Sequence, residues 1–241
     1  MKPIVIIAAV PQEIELLNKK LDDAVILKTC SFEYIDGTIG NLRFVVCAAG
    51  VGKVNAAAAT AVMIERYQPQ LVINTGCAGA YIGSGLEIGN LVVASEEALA
   101  DEGVLVADGW KDLHYMNLPS VKEDGLNRYN LLPLSPYTLE RALQIANHLS
   151  IPVRSGRFAT VSTCSGTVQR GRELFHHWGA IVESMEGAAV VQVCLRSGVD
   201  CLEIRGVSNM VEERDLKKWD VKRATQAAQS FVLKYLEKMN M

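Results

Sequence analysis

Apolar residues gather along this chain in short continuous runs, separated by longer segments in which they recur every three or four positions. The runs at Ile4 to Ala9, Leu42 to Ala49, Leu71 to Gly76, Leu91 to Ala94 and Cys201 to Val207 have the length of strands, and Arg157 to Thr163 reads as one more. Most are apolar at successive positions rather than alternate ones, which predicts strands buried on both faces of a sheet. Helical periods fall between them. One opens at Pro11 and carries Ile14, Leu16, Leu17 and Leu21 on one side; an alanine-rich one runs from Val54 to Tyr67 and stops before Pro69. Others run from Ser135-Pro136 through Leu149, from Thr167 to about His176-His177, from Gly187 to Arg196 with a stop at Ser197-Gly198, and from about Trp219 to Lys238. Proline suits the first position of a helix and glycine its end. Strands alternating with helices predict an α/β fold. Within Val25 to Cys47, the pair Asp36-Gly37 predicts a tight hairpin turn. From Asp101 to Pro133 the pattern dissolves, as expected of a lid or an oligomer contact.

Composition narrows the function classes. Of 241 residues, 49% are apolar and 21% charged, and the net charge is -3. The expectation is one domain over 1–241, with a sizeable core and no dividing linker. No basic field is present for nucleic acid, and the apolar runs are too short to span a membrane as helices. Met1-Lys2-Pro3-Ile4 enters a strand at once, which leaves no room for a signal peptide. The cysteines Cys30, Cys47, Cys77, Cys164, Cys194 and Cys201 form no C-x-x-C and mostly sit in apolar runs. They read as reduced, buried thiols of a cytoplasmic protein. His114, His148, His176 and His177 lack metal-ligand spacing, so neither a metal nor a cofactor is expected. No glycine-flanked serine elbow marks an α/β-hydrolase.

The residues that carry chemistry sit where strands end, the side on which open α/β sheets bind ligands. Glu13 follows the first strand. It is either a surface acid in the first turn of a helix or an active-site acid. Gly50-Val51-Gly52-Lys53 lacks the third glycine of a dinucleotide loop and the Lys-Ser/Thr of a P-loop, so it reads as a tight turn allowing close backbone approach. The small residues Cys77, Ala78 and Gly79 either line a pocket with backbone N–H groups or pack closely. Glu186 stands at a strand-to-helix junction, and Ser208-Asn209 hang from the carboxyl end of the last strand. An acid to activate water, an acid to hold hydroxyls, a backbone-lined pocket and an amide to read a base suit cleavage of an N-glycosidic bond.

At Asn74-Thr75-Gly76-Cys77-Ala78-Gly79, Met185-Glu186-Gly187-Ala188-Ala189 and Ile204-Arg205-Gly206-Val207-Ser208-Asn209 the chain resembles the purine nucleoside phosphorylase and methylthioadenosine/adenosylhomocysteine nucleosidase superfamily over nearly its whole length. Ser208-Asn209 with Val211, Arg214-Asp215 and Trp219 is most similar to the futalosine hydrolase branch. The resemblance implies a nucleoside phosphorylase-like central mixed twisted sheet flanked by helices, a purine nucleoside substrate, and a homodimer or homotetramer. It implies Glu13 as the base that activates water, Met185 as a surface under the ribose and Glu186 as acceptor of ribose hydroxyls. Cys164 and Ser165 fall where backbone groups contact the base. Asn209 stands where adenine-directed nucleosidases carry an aspartate, and its amide suits a 6-oxopurine, whose oxygen only accepts. The arginines that phosphorylases place around phosphate are absent from the Ala9-to-Glu13 and Asn74-to-Gly79 segments, which favours water as nucleophile. Arg214 is read either as a carboxylate partner or as an ion-pair partner of the acids beside it. The expected activity is hydrolysis of futalosine to hypoxanthine. A methylthioadenosine-type nucleosidase, a phosphorylase, a silent nucleoside binder and an oxidoreductase built on the Gly50 turn are the alternatives.

Overall fold

The apolar runs form the middle of one ten-stranded mixed sheet in a computed structural model whose description covers residues 2–123 and 125–239. In chain order the elements begin with β1 (Ile4–Ala8), a 3-10 turn (Pro11–Glu13), α1 (Glu15–Asn18), β2 (Asp22–Thr29), β3 (Phe32–Ile39), β4 (Leu42–Ala48) and α2 (Lys53–Tyr67). Next come β5 (Leu71–Tyr81), β6 (Leu91–Leu99), β7 (Gly103–Val106), β8 (Gly109–Asp112), β9 (Val121–Glu123), β10 (Leu126–Arg128) and β11 (Leu131–Pro133). The chain ends with α3 (Pro136–His148), β12 (Val153–Thr160), α4 (Val168–Trp178), β13 (Ala180–Ser184), α5 (Gly187–Ser197), β14 (Cys201–Val211) and α6 (Val221–Met239).

The sheet runs β11-β6-β12-β13-β5-β1-β4-β3-β2, and β14 pairs with both β5 and β6. Five of its strands, β6, β12, β13, β5 and β14, therefore close into a ring. β1 is parallel to β4 and β5, whereas β13 is antiparallel to β5. Alternate residues of β1 serve two layers. Val5 and Ile7 pack with Ala56, Ala59 and Met63 of α2 and with α5, while Ile4 and Ile6 pack with Ile145 of α3 and Phe231, Val232 and Tyr235 of α6. At roughly 25 cal/mol per Å² of apolar surface removed from water, these two layers supply the main drive to fold. No described helix is long and apolar enough to cross a membrane.

Several local expectations are corrected. The helix expected from Pro11 is a 3-10 turn followed by the four residues of α1, because Ile14 leaves helical geometry between them (φ -127°, ψ 4°). Asp36-Gly37 is not a hairpin turn. It lies inside β3, and the chain reverses instead at Cys30-Ser31, both with positive φ, and at Gly40-Asn41. Gly37 faces the irregularity in β2, where a Cβ would stand 3.0 Å from the Asp22 carbonyl oxygen. Ser208 and Asn209 do not hang beyond the last strand; β14 continues through them to Val211, with a register shift between Val207 and Asn209. The strand expected over Arg157 to Thr163 spans Val153–Thr160. The 101–133 segment holds the hairpins β7–β8 and β9–β10 and the edge strand β11. Cys47, Cys194 and Cys201 are buried, but Cys30 and Cys164 are exposed.

Candidate active site

Four segments meet at one end of the strand ring: the turn after β1, the second half of β5, the junction of β13 with α5, and the end of β14. Together with the loop after β12 they line a cavity of 280 Å³. Every residue singled out from the sequence lines it: Glu13, Cys77, Ala78, Gly79, Cys164, Ser165, Met185, Glu186 and Asn209. Val51, Arg214 and Trp219 complete its rim.

Glu13 is no surface acid, since it is only 3% exposed. Its Oε2 accepts the Ala9 N–H at 2.9 Å and the Val10 N–H at 3.2 Å, and its Oε1 accepts the Cys77 N–H at 2.9 Å. Breaking the first helix at Ile14 leaves that carboxylate folded back over the strand end. Gly76 makes room for it, because a Cβ there would collide with Glu13 Oε1 and stand 2.8 Å from Arg205 Nη1.

Glu186 caps α5 and is 5% exposed. Oε1 accepts the Gly52 N–H at 2.9 Å, and Oε2 accepts the Met185 N–H at 3.3 Å with Arg205 Nη1 at 3.7 Å. The glycine turn after β4, with φ of 99° at Gly50 and 95° at Gly52, thus presents a backbone N–H to a carboxylate. Burial raises the Glu186 carboxyl above its ordinary value; Arg205 and the two N–H donors oppose that rise. Burial also pushes the Cys77 thiol up to about 12, so it is a neutral wall of the cavity.

Asn209 packs its Nδ2 near the bare Cα of Gly79, where a Cβ would stand 3.1 Å away. Its Oδ1 accepts the Ser208 hydroxyl at 2.7 Å and its Nδ2 donates to the Met210 carbonyl at 3.0 Å. One amide hydrogen is left over, since an amide nitrogen carries two. Across Gly79 from it, on β13, stands Glu183, which the sequence reading passed over. Its oxygens accept the Ser165 N–H at 2.8 Å, the Ser165 hydroxyl at 2.7 Å and the Tyr81 hydroxyl at 3.0 Å. This end of the cavity therefore offers a donor in Asn209, while three of the roughly four acceptor positions of its carboxylate are taken.

Arg205, Glu203 and Glu97 were also passed over as site residues. Arg205 is 1% exposed, donates from Nε to Glu203 at 2.9 Å and from Nη1 to the Cys77 carbonyl at 3.3 Å. Burial works against its charge, but Glu203, Glu186 and Glu13 together raise its pKa further. The available signal was a charge inside an apolar run, since an arginine or glutamate is almost never fully buried unless paired. Arg214 does not take the flanking acids as its partners in the expected way. Its guanidinium lies 4.9 Å from the Trp219 ring centre, while Glu212 pairs with Lys218 at 2.7 Å. Lys53 holds Asp101 at 2.7 Å and Glu102 at 3.1 Å, which ties the start of the 101–133 segment to the rim. No cluster of metal ligands occurs among the described residues.

The family model of the phosphorylase superfamily matches residues 3–237. The chain belongs to that superfamily. Its curated relatives include the 5'-methylthioadenosine/S-adenosylhomocysteine nucleosidase of Exiguobacterium, 28% identical over 209 residues that span 86% of this chain and 85% of the relative. The nucleosidase of the same name from Bacillus thuringiensis is 29% identical over 241 residues, 98% of this chain and 99% of the other. Among solved structures, the Neisseria meningitidis nucleosidase in complex with methylthio-immucillin-A superposes with a TM-score of 0.86 at 26% identity, covering 99% of this chain and 100% of that one. A futalosine hydrolase mutant from Helicobacter pylori has the same fold, with a TM-score of 0.86 at 24% identity over 99% and 100% of the chains. For a phosphorylase-superfamily member the position of Arg205 matters. The cation beside Glu13 is already surrounded by the carboxylates of Glu203, Glu186 and Glu13, and a phosphate brought there would face their repulsion.

Proposed function

We propose that this chain is a nucleosidase that hydrolyses the N-glycosidic bond of futalosine and releases hypoxanthine, as in the alternative menaquinone pathway. The observation that carries the substrate choice is Asn209, whose Nδ2 keeps one hydrogen to donate into the cavity after its bond to the Met210 carbonyl. A 6-oxo group accepts hydrogen bonds only, so an amide N–H satisfies it, whereas a 6-amino group would face a donor with a donor.

Each carboxylate has its step. Glu13, held by three backbone N–H groups, takes the proton of a water that attacks C1′ of the ribose. Glu186, ionised and directed by Gly52 and Arg205, accepts the ribose hydroxyls and stabilises the oxocarbenium-like transition state. Met185 lies under the sugar. The bond from C1′ to the base nitrogen breaks with its electron pair going to the base, which Asn209 and the backbone at Cys164 hold by hydrogen bonds until solvent protonates it. Ser165, its N–H and hydroxyl both given to Glu183, only walls that end of the cavity. Arg214, stacked on Trp219 at the rim, adds positive charge where an anionic substituent or the departing base would lie. Water rather than phosphate is the nucleophile because Glu13 and Glu186 both line the cavity and would repel an anion brought beside them.

The second reading is a methylthioadenosine/adenosylhomocysteine nucleosidase, favoured by the names of the curated relatives. Free-base release from futalosine, methylthioadenosine and inosine, with and without phosphate, separates the two. Hypoxanthine from futalosine without phosphate is the expected result. Adenine release from methylthioadenosine at a higher rate overturns the substrate, and a requirement for phosphate overturns hydrolysis.

The proposal includes a cytoplasmic homodimer or homotetramer. Leu105, Tyr115 and Leu118 of the 101–133 segment and Val54 of α2 are exposed apolar side chains, which a neighbouring chain would cover in such an assembly. Light scattering on the purified protein, returning the monomer mass, would refute it.

A further inference from the structure

Behind the cavity, Glu97 of β6 and Glu203 of β14 lie together with no exposed surface. The Thr160 hydroxyl donates to Glu97 Oε2 at 2.7 Å and accepts the Ala188 N–H, from the start of α5, at 2.7 Å. Glu203 Oε1 accepts Arg205 Nε at 2.9 Å. The other two oxygens, Glu97 Oε1 and Glu203 Oε2, are buried and find no partner elsewhere among the described residues. Both crowd the Cα of Gly187, where a Cβ would stand 2.6 Å from Glu203 Oε2 and collide with Glu97 Oε1. The two carboxyls are thus close enough to hydrogen-bond to each other.

Two ionised carboxylates cannot occupy such a place, because their repulsion is unscreened and each would leave an oxygen without a donor. A single proton between them turns the repulsion into a hydrogen bond. Glu203 already accepts the Arg205 Nε–H, and Glu97 makes no such contact with a cation, so the proton is placed on Glu97. Burial first, and Glu203 second, hold the Glu97 carboxyl well above the carboxylate range.

We propose that Glu97 and Glu203 share one proton, and that this pair positions the active-site cation: the Glu97 O–H donates to Glu203, whose carboxylate fixes Arg205 beside Glu186 and Glu13. The second half of this inference rests on the nucleosidase reading for its effect on turnover; the first does not. Without Glu203, Arg205 would close on Glu186 and Glu13 and weaken both as hydrogen-bond acceptors. With Glu97 ionised as well, the guanidinium would be drawn away from the cavity. The titratable groups around the pair are Arg205 and Cys201 on β14, Cys194 on α5, Glu186 at the start of α5 and Glu13 after β1. The Cys194 hydrogen bond and burial keep the Cys201 thiol protonated, so Arg205 is the only cation among them.

Infrared difference spectra of the full chain in D2O at neutral pH, wild type minus Glu97→Gln, test the shared proton. The expected result is a protonated-carboxyl C=O band present in the wild type and absent from the variant. A difference containing only carboxylate bands overturns the proposal, whatever the protein's substrate. Glu203→Gln tests the positioning role. The charge of Arg205 then falls on Glu186 and Glu13 alone, so the acid limb of the pH–rate profile should move down by about one pH unit, as a closer cation does to a carboxylate. The maximal rate should fall about tenfold, and Glu203→Asp should restore part of both. The same displacement is read without turnover in the carbon NMR titration of the Glu186 carboxyl, assigned with Glu186→Gln. A limb and a titration that stay in place, with rate lost only in proportion to unfolded protein, would overturn the positioning role.

Discussion

Cys77 donates its backbone N–H to Oε1 of Glu13 at 2.9 Å, joining the middle of β5 to the turn after β1. That one bond fixes the direction in which the buried acid points. The Ala9 and Val10 N–H groups take the other oxygen, so three backbone donors hold the carboxylate in its acceptor role.

Replacing Glu13 by Gln removes the proton acceptor and little else in shape. Turnover should fall by about 10²- to 10⁴-fold, the usual worth of a general base, while binding of the free base, followed by calorimetry, is retained. The amide can face Cys77 or the Ala9–Val10 pair as acceptor but not both, so a stability loss of about 1 kcal/mol should accompany it. A near-normal rate would remove Glu13 from its role.

Gly76 is a position where a side chain would meet both charges. Gly76→Ala forces a methyl group against Glu13 Oε1 and Arg205 Nη1. Thermal unfolding should report a loss of about 1–3 kcal/mol, typical of overpacking, and kcat should fall with it because the acid is displaced. An unchanged melting temperature would show that the two side chains move aside freely.

Asn209→Asp should redirect base preference. A carboxylate repels a 6-oxo group and, once protonated, can donate to a purine nitrogen while accepting from a 6-amino group. The ratio of kcat/KM for adenine over hypoxanthine nucleosides should rise at least about tenfold. No change in that ratio would mean that the base is read by other groups.

The Glu186 carboxyl must be ionised to accept ribose hydroxyls, and burial raises its pKa. As pH falls through that raised value the carboxyl gains a proton and activity is lost, so the acid limb of kcat/KM should lie above the ordinary Glu value of about 4.3. Glu186→Gln should lower kcat by about 10²- to 10³-fold, the worth of one preorganised electrostatic contact. It should also shift the acid limb; a limb unchanged in the variant would assign it to another group.

Much of this site is legible along the chain because its residues sit at strand ends, and strand ends show as places where apolar runs stop. Glu13, Glu186 and Asn209 stand out in that way. Glu183, Glu203 and Arg205 did not, because they lie within or against the apolar runs of β13 and β14 and local pattern treats a charge there as an interruption. The hairpin expected at Asp36-Gly37 failed for a related reason. Turn propensity is local, but the irregularity in β2 opposite Gly37 uses the missing side chain for close strand approach instead.

By itself, then, the sequence determined the α/β class, the succession of strands and helices, and most of the cavity's lining, because burial on two faces and helical period are written in neighbouring residues. The tertiary structure decided which acids are buried, which carboxylates share a cation, and where the chain turns. Those outcomes depend on β14 pairing with both β5 and β6 and on the 3-10 turn folding Glu13 onto Cys77. A buried charge is tolerated only where distant backbone and side-chain partners satisfy it, and pattern along the chain carries no record of who those partners are.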